Sequence, residues 1–233
     1  MADFKEQFTV GYPSPLVFKA EPNTRFKGVL VGHPKTVYFN RIVRNNQIVK
    51  FHLVSAPEQI IVFSNKNIEF QKQTPLETIP VYLPKELEKA LPFFKEFANE
   101  ASYLPPQNAY ESDEKEHVIL FLNQIYNVKN GKKIASQTPA RISRKTGIIQ
   151  INAHKFKKMT VPQRMFILLH EYMHFILNSS NEFEVDLQAL RAYLSLGFSR
   201  IESVYALTKI LHESDFSHTR VKLLISYIKK FES

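Results

Sequence analysis

Residues 164–186 read RMFILLHEYMHFILNSSNEFEVD, and this stretch decides how the second half of the chain folds. The apolar frame MFILL before His170 and FIL after His174 predicts a helix buried on most of its surface. Asn178-Ser-Ser-Asn181 interrupts the frame with turn-forming residues. Asn181-Glu-Phe-Glu184 then reads as a capping box opening a second helix. The expectation is an antiparallel helical hairpin with a very short connection.

The first helix carries His170-Glu171-Tyr172-Met173-His174. An H-E-x-x-H on a helix sets two imidazoles at i and i+4 on one face, within reach of one metal ion, and leaves the Glu beside the open position. Buried imidazoles need partners, and a metal supplies one. A catalytic zinc takes three protein ligands and keeps one position open. In an antiparallel hairpin with about 1.5 Å rise per residue, Glu182 falls only about 4–5 Å in height from His174, which makes it the third ligand. Glu184 lies about 200° round the helix from Glu182 and is expected to face elsewhere. Asp186, at i+4 from Glu182, returns to the ligand face as an acceptor for an imidazole N–H, a contact that fixes tautomer and ring orientation. Tyr172 and Met173 read as core or pocket lining. His154 and His212 stand without paired ligands.

Working outward, Thr160-Val-Pro-Gln163 is a capping box for the histidine helix, and Gly147–Ala153 alternates as a strand in front of it. Gly197 ends the second helix, Ser199-Arg-Ile-Glu202 opens another to about His212, and a last helix follows Ser217. Upstream, PKELEKALPFFKEFANEA (84–101) is amphipathic, with a break or kink expected at Pro92. Residues 103–113 read as loop, and EKEHVILFLNQIYN (114–127) as a helix closed by a polar turn, Asn127 to Lys133. The first eighty residues are β-rich instead. LVFKA, FKGVLVG, QIIVFSNKNIEF and IPVYL are short strands, and VYFNRIVRNNQIVKFHLV (37–54) reads as a hairpin. The fold class is therefore α+β: a small antiparallel β module, 1–82, that docks substrate or a partner, and a mostly helical domain, 83–233, with one strand before the motif.

Composition narrows the function. The 233 residues include no cysteine, which excludes disulfide scaffolds, thiolate metal sites and cysteine nucleophiles. The net charge of +9 is densest from Lys129-Asn-Gly-Lys132-Lys133 through Arg141, Arg144 and Lys145 to Lys158. No RNP motif, zinc knuckle or P-loop accompanies it, so it reads as a solvated basic surface and nucleic acid is not an expected partner. MADFKEQFTVGYPSP has no secretory core, and no apolar run approaches membrane-spanning length. The expected location is the cytoplasm, or the interior of a phage particle.

His170-Glu-x-x-His174 followed by Asn181-Glu182-x-x-x-Asp186 resembles the gluzincin metallopeptidases over roughly residues 147–220. The stretch EFEVDLQALRAYLSLGFSRIESV is similar to the corresponding helix of the ImmA/IrrE-type and HtpX-like branches, with Val185 where those branches usually have Ala. The resemblance implies a zincin-like domain, Zn2+ held by His170, His174 and Glu182, Asp186 orienting a ligand histidine (usually the first), and Glu171 as general base in peptide-bond hydrolysis. It also implies an edge strand, GIIQINA, that pairs with extended substrate. Ser217-His218-Thr219-Arg220 is similar to an element before the last helix of the HtpX-like group. His218, Arg220 and Tyr193 are candidates for stabilising the oxyanion. A second reading, in which an assembly protein such as a phage component keeps the domain as scaffold, uses the same residues without cleavage.

Overall fold

The computed structural model describes residues 4–10, 16–51, 58–71, 82–198, 200–210 and 222–227. They form a mixed α+β protein that divides into two compact units: Met1–Pro80 with Thr160–Pro162 and Leu194–Ser199, and Val81–Met159 with Gln163–Tyr193 and Arg200–Ser233. Among the described residues no helix is long and apolar enough to cross a membrane.

The first unit holds β1 (Phe4–Val10), β2 (Leu16–Ala20), β3 (Thr24–Leu30), β4 (His33–Val43), β5 (Gln47–Phe51), β6 (Glu58–Ser64) and β7 (Glu69–Gln71). They make two antiparallel sheets, in the orders β1-β6-β3-β4 and β5-β2-β7. The strands expected at 37–54 are present, but they do not pair as a hairpin: β4 pairs with β3 and β5 with β2. Alternation fixes which side chains a strand buries, not which strand lies beside it. Phe8, Phe18 and Phe70, one from each of three strands, meet with ring centroids 5.0–5.6 Å apart. Residues 79–81 of IPVYL lie outside the described residues, and Tyr82 and Leu83 are not in a strand.

Gly28 in β3 faces Phe39 in β4, and a Cβ there would stand 2.2 Å from the Phe39 ring. Phe39 is fully buried and has nowhere to swing. Gly28→Ala is therefore expected to destabilise the first unit by about 2 kcal/mol, the middle of the usual overpacking range, readable as a lowered urea midpoint.

The second unit is less helical than expected. α1 (Lys85–Glu100) runs unbroken through Pro92, its two halves held by one buried stripe that includes Leu87, Leu91, Phe94 and Phe97. The helix expected at 114–127 is instead a strand, β9 (Val118–Leu122), and the expected loop before it contains β8 (Asn108–Glu111). VILFL is apolar throughout, so it carries no helical period, and its burial alternates with Ile119 and Phe121 inside. The supposed polar turn is a hairpin, β10 (Tyr126–Lys129) and β11 (Lys132–Ala135). Asn130 and Gly131 both take positive φ, the two-residue turn that Asn-Gly favours. β12 (Ala140–Ile142) and β13 (Ile149–Asn152) complete a four-stranded sheet of order β12-β13-β9-β8. β13 pairs in parallel with β9 and antiparallel with β12.

This order corrects the expectation for GIIQINA. That strand is β13, which lies inside the sheet, and the edge strand preceding the histidine helix is β12. A one-turn helix α2 (Ala153–Phe156) follows, then α3 (Val161–Ile176), α4 (Glu182–Ser195) and α5 (Arg200–Ile210). Residues 222–227 are helical.

Candidate metal centre

α3 is buried along nearly its whole length, including Met165, Phe166, Ile167, Leu168 and Leu169. Its last turn closes through a Schellman arrangement. Asn178 adopts positive φ, Ser179 N–H donates to the His174 carbonyl, and Asn178 N–H donates to the Phe175 carbonyl. The Asn181 side chain then accepts from the backbone N–H groups of Phe183 and Glu184, capping α4. Glu184 turns away from the ligand face and accepts from Ser179 Oγ at 3.0 Å. Five residues, Leu177 to Asn181, therefore suffice to reverse the chain, and the reversal brings Glu182 back to His174.

The resulting triangle is compact. His170 Nε2 and His174 Nε2 are 3.3 Å apart, and the Glu182 carboxylate oxygens lie 3.6 Å from the first and 3.5 Å from the second. Two donors bound to one tetrahedral zinc at about 2.0–2.1 Å stand about 3.3–3.4 Å apart. Octahedral donors at the same bond length stand about 2.9 Å apart. The His170–His174 spacing is that of two donors on a tetrahedral centre, while the two Glu182 distances belong to different carboxylate oxygens, and one donor atom from each of the three residues lies within 4.8 Å of the others.

The outer ring nitrogens decide which atoms are left to face a metal. His170 Nδ1 lies 2.9 Å from the fully buried Asp186, and His174 Nδ1 donates to the Ser179 carbonyl at 2.8 Å. Each Nδ1 thus carries the proton, and each Nε2 presents a lone pair to the same point. Ser179 gives His174 both a backbone acceptor and a backbone donor, so the turn that ends α3 also aims the second histidine. Asp186→Ala is expected to weaken metal affinity by about 10–100-fold without unfolding the protein, measured by competition with a chromophoric chelator.

Glu171 is buried on the same helix. Burial is the main influence on its carboxyl and Glu182 adds to it, while His170 and a hydrogen bond from the Ile142 backbone oppose them, leaving a pKa of about 7. Burial works to lower the His170 pKa, but the Asp186 hydrogen bond and the charges of Glu171, Asp186 and Glu182 outweigh it, and the pKa ends above the ordinary value. His174 ends below its ordinary value, chiefly through burial, with the neighbouring His170 adding to the effect.

The contact with Ile142 joins the helix to the sheet edge. In the β12–β13 ladder Arg141 pairs with Gln150, and the flanking Pro139 and Ser143 also bond inward. Ala140 and Ile142 therefore turn their backbone groups to the open edge. Sequence reasoning could not find this contact, because which strand forms the edge is a non-local property.

Of the remaining residues expected at the site, Tyr193 is fully buried, its ring edge-on to Phe166 at 5.5 Å. His218 and Arg220 lie outside the described residues. Tyr172 and Met173 are core, Tyr172 packing edge-on against Phe94 at 5.1 Å. Comparison with protein-family models, curated proteins and solved structures finds no match to this chain.

Proposed function

We propose that this chain is a zinc-dependent metallopeptidase of the gluzincin type, with a zincin-like second unit. The observation that carries the reading is the convergence of two imidazole Nε2 atoms and one carboxylate within reach of a single ion, with the buried Glu171 on the same helix and the Ile142 backbone of the edge strand against it. His170, His174 and Glu182 hold the ion, and Asp186 and the Ser179 carbonyl hold the imidazoles. When bound, zinc supplies Lewis acidity that acidifies water and polarises a scissile carbonyl. A two-histidine, one-carboxylate set also suits iron(II). The buried carboxyl at Glu171, poised near neutrality, favours hydrolysis, for which a base is needed.

In this reading Glu171 takes the proton of the attacking water and later delivers it to the leaving amine. The outward N–H and C=O groups of β12 receive the substrate as an added strand, and a substrate carbonyl takes over the Ile142 N–H from Glu171. The first unit docks substrate or a partner protein, and the protein works in the cytoplasm or inside a phage particle.

Metal analysis of the purified protein, followed by digestion of an unstructured protein with and without chelator, tests the proposal. One zinc per chain with chelator-sensitive cleavage is expected. Zinc without cleavage leaves a scaffold, and failure to bind zinc removes the reading altogether.

The pH dependence follows from the same groups. In the metal-free protein Glu171 has a folded pKa above its unfolded value, so its stabilising contribution is complete below about pH 4.5 and is lost as pH rises through about 7. The raised His170 acts in the same direction. Metal binding requires the neutral imidazole, so affinity tightens over the same interval. The gap in Tm between zinc-loaded and stripped protein is expected to widen steadily from about pH 5 to about pH 8.

A further inference from the structure

Between Glu116 and Glu171 the chain has no Asp or Glu, while ten Lys and Arg fall in the same interval. Ordinary solvated surfaces intersperse both signs of charge, so this interval is unusual, and the fold concentrates it. Lys129, Lys132 and Lys133 sit on the exposed β10–β11 hairpin, Arg141 in edge strand β12, and Arg144 and Lys145 in the exposed turn between β12 and β13. The hairpin is tied to the edge strand: Arg141 Nη1 donates to Asn127 Oδ1 at 2.9 Å and its Nε to Gln150 Oε1 at 2.8 Å. These partners are neutral, and the ion pairs among the described residues include none of the six cations. The carboxylates collect at the other edge of the same sheet, with Glu111 ending β8 and Asp113, Glu114 and Glu116 in its connection to β9.

We propose that the cationic β12 edge selects acidic peptides, binding an extended segment whose Asp and Glu side chains lie against Arg141 and the flanking lysines and Arg144. The inference rests on the metallopeptidase reading for placing the peptide on β12. A strand added there runs between the hairpin and the turn, and its side chains on one face recur about every 6.8 Å. Arg141 projects on the face shared with Gln150 and Asn127, so acidic residues at alternate positions of the peptide meet it and the cations at either end. Several exposed charge pairs, each modest, sum to a preference that salt screens.

The test uses the full-length zinc-loaded protein and two fluorogenic peptides that differ only in Asp/Glu against Asn/Gln. The acidic peptide is expected to show about tenfold higher kcat/KM in low salt, shrinking below about twofold in about 0.5 M salt. R141Q/R144Q/K145Q and K129Q/K132Q/K133Q are each expected to pull the ratio toward one. A ratio of one in the wild type, or a ratio unmoved by both triple variants, overturns the inference while cleavage of the neutral peptide keeps the peptidase reading standing. Fluorescence anisotropy of the same peptides on Glu171→Gln separates the reverse case. Preferential binding of the acidic peptide with no cleavage by the wild type removes the peptidase reading and supports the acidic-ligand edge. A single-stranded oligonucleotide that binds more tightly than the acidic peptide and displaces it overturns the proposal in favour of nucleic acid.

Discussion

Glu171→Gln is expected to retain zinc at full stoichiometry and to lose peptide hydrolysis by about 10²–10⁴-fold in kcat, the usual contribution of a positioned acid–base group. The substitution is nearly isosteric, so the buried side chain keeps its volume and its oxygen can still accept from the Ile142 backbone. What it removes is the ability to exchange a proton near neutrality. KM is expected to change little, because Glu171 makes its essential contact only as the bond breaks. Zinc content, folding and KM that match the wild type, together with the loss in kcat, identify a base. A parallel loss of metal would instead make Glu171 part of the structure of the site, and undiminished turnover would remove it from the mechanism.

The second large effect concerns stability. Arg164 →Met is expected to cost about 3–5 kcal/mol, because it strips partners from several buried acceptors at once. The Arg164 side chain is fully buried in the first turns of α3. Its Nε donates to the Phe156 carbonyl at 3.1 Å, Nη1 to the Ala98 carbonyl at 2.8 Å, and Nη2 to the Lys157 carbonyl at 3.1 Å and to Ser102 Oγ. Those carbonyls belong to the ends of α1 and α2, where orphan acceptors and the negative end of each helix dipole favour a cation. One guanidinium thus fixes the start of the ligand helix against two others. Since whole domains are stable by only about 5–15 kcal/mol, the variant is expected to show a large drop in urea midpoint. Arg164→Lys is expected to rescue little, because a single ammonium cannot reproduce the planar fork. A midpoint within the range of ordinary surface substitutions would show that the contacts are not cooperative.

How far the sequence could be read depends on the range of each contact. The grouping of His170, His174 and Glu182 was legible because i and i+4 on a helix is a rigid spacing, and because the turn between the two helices is too short to lead anywhere but back. Asn178 and Asn181 signalled the two ends of that turn. The strand β9 was misread because VILFL is apolar at every position and offers no period to choose by. Asn130-Gly131 carries the hairpin signal, but a helix reading of the preceding segment hides it. The edge position of β12, the division of β4 and β5 between two sheets, and the partners of Arg164 all join residues far apart in the chain. No local pattern encodes them. Arg164 left one trace, a cation on the same stripe as the buried Ile167 and Leu168, where a solvated arginine would not sit.

The anchoring of α3 has a consequence for the protein's life history. Its position is set by carbonyls of neighbouring helices and a Schellman turn, followed by the asparagine cap of α4, none of which uses a candidate ligand atom. Small zinc domains that are unfolded without metal gain their structure and their activity in one event. Under the proposed function the two would be separable, and a chain made while zinc is scarce is expected to wait folded and to become active when supply returns. On that reading, copy number and catalytic output answer to different signals, and metal availability is expected to act as a throttle that needs no resynthesis.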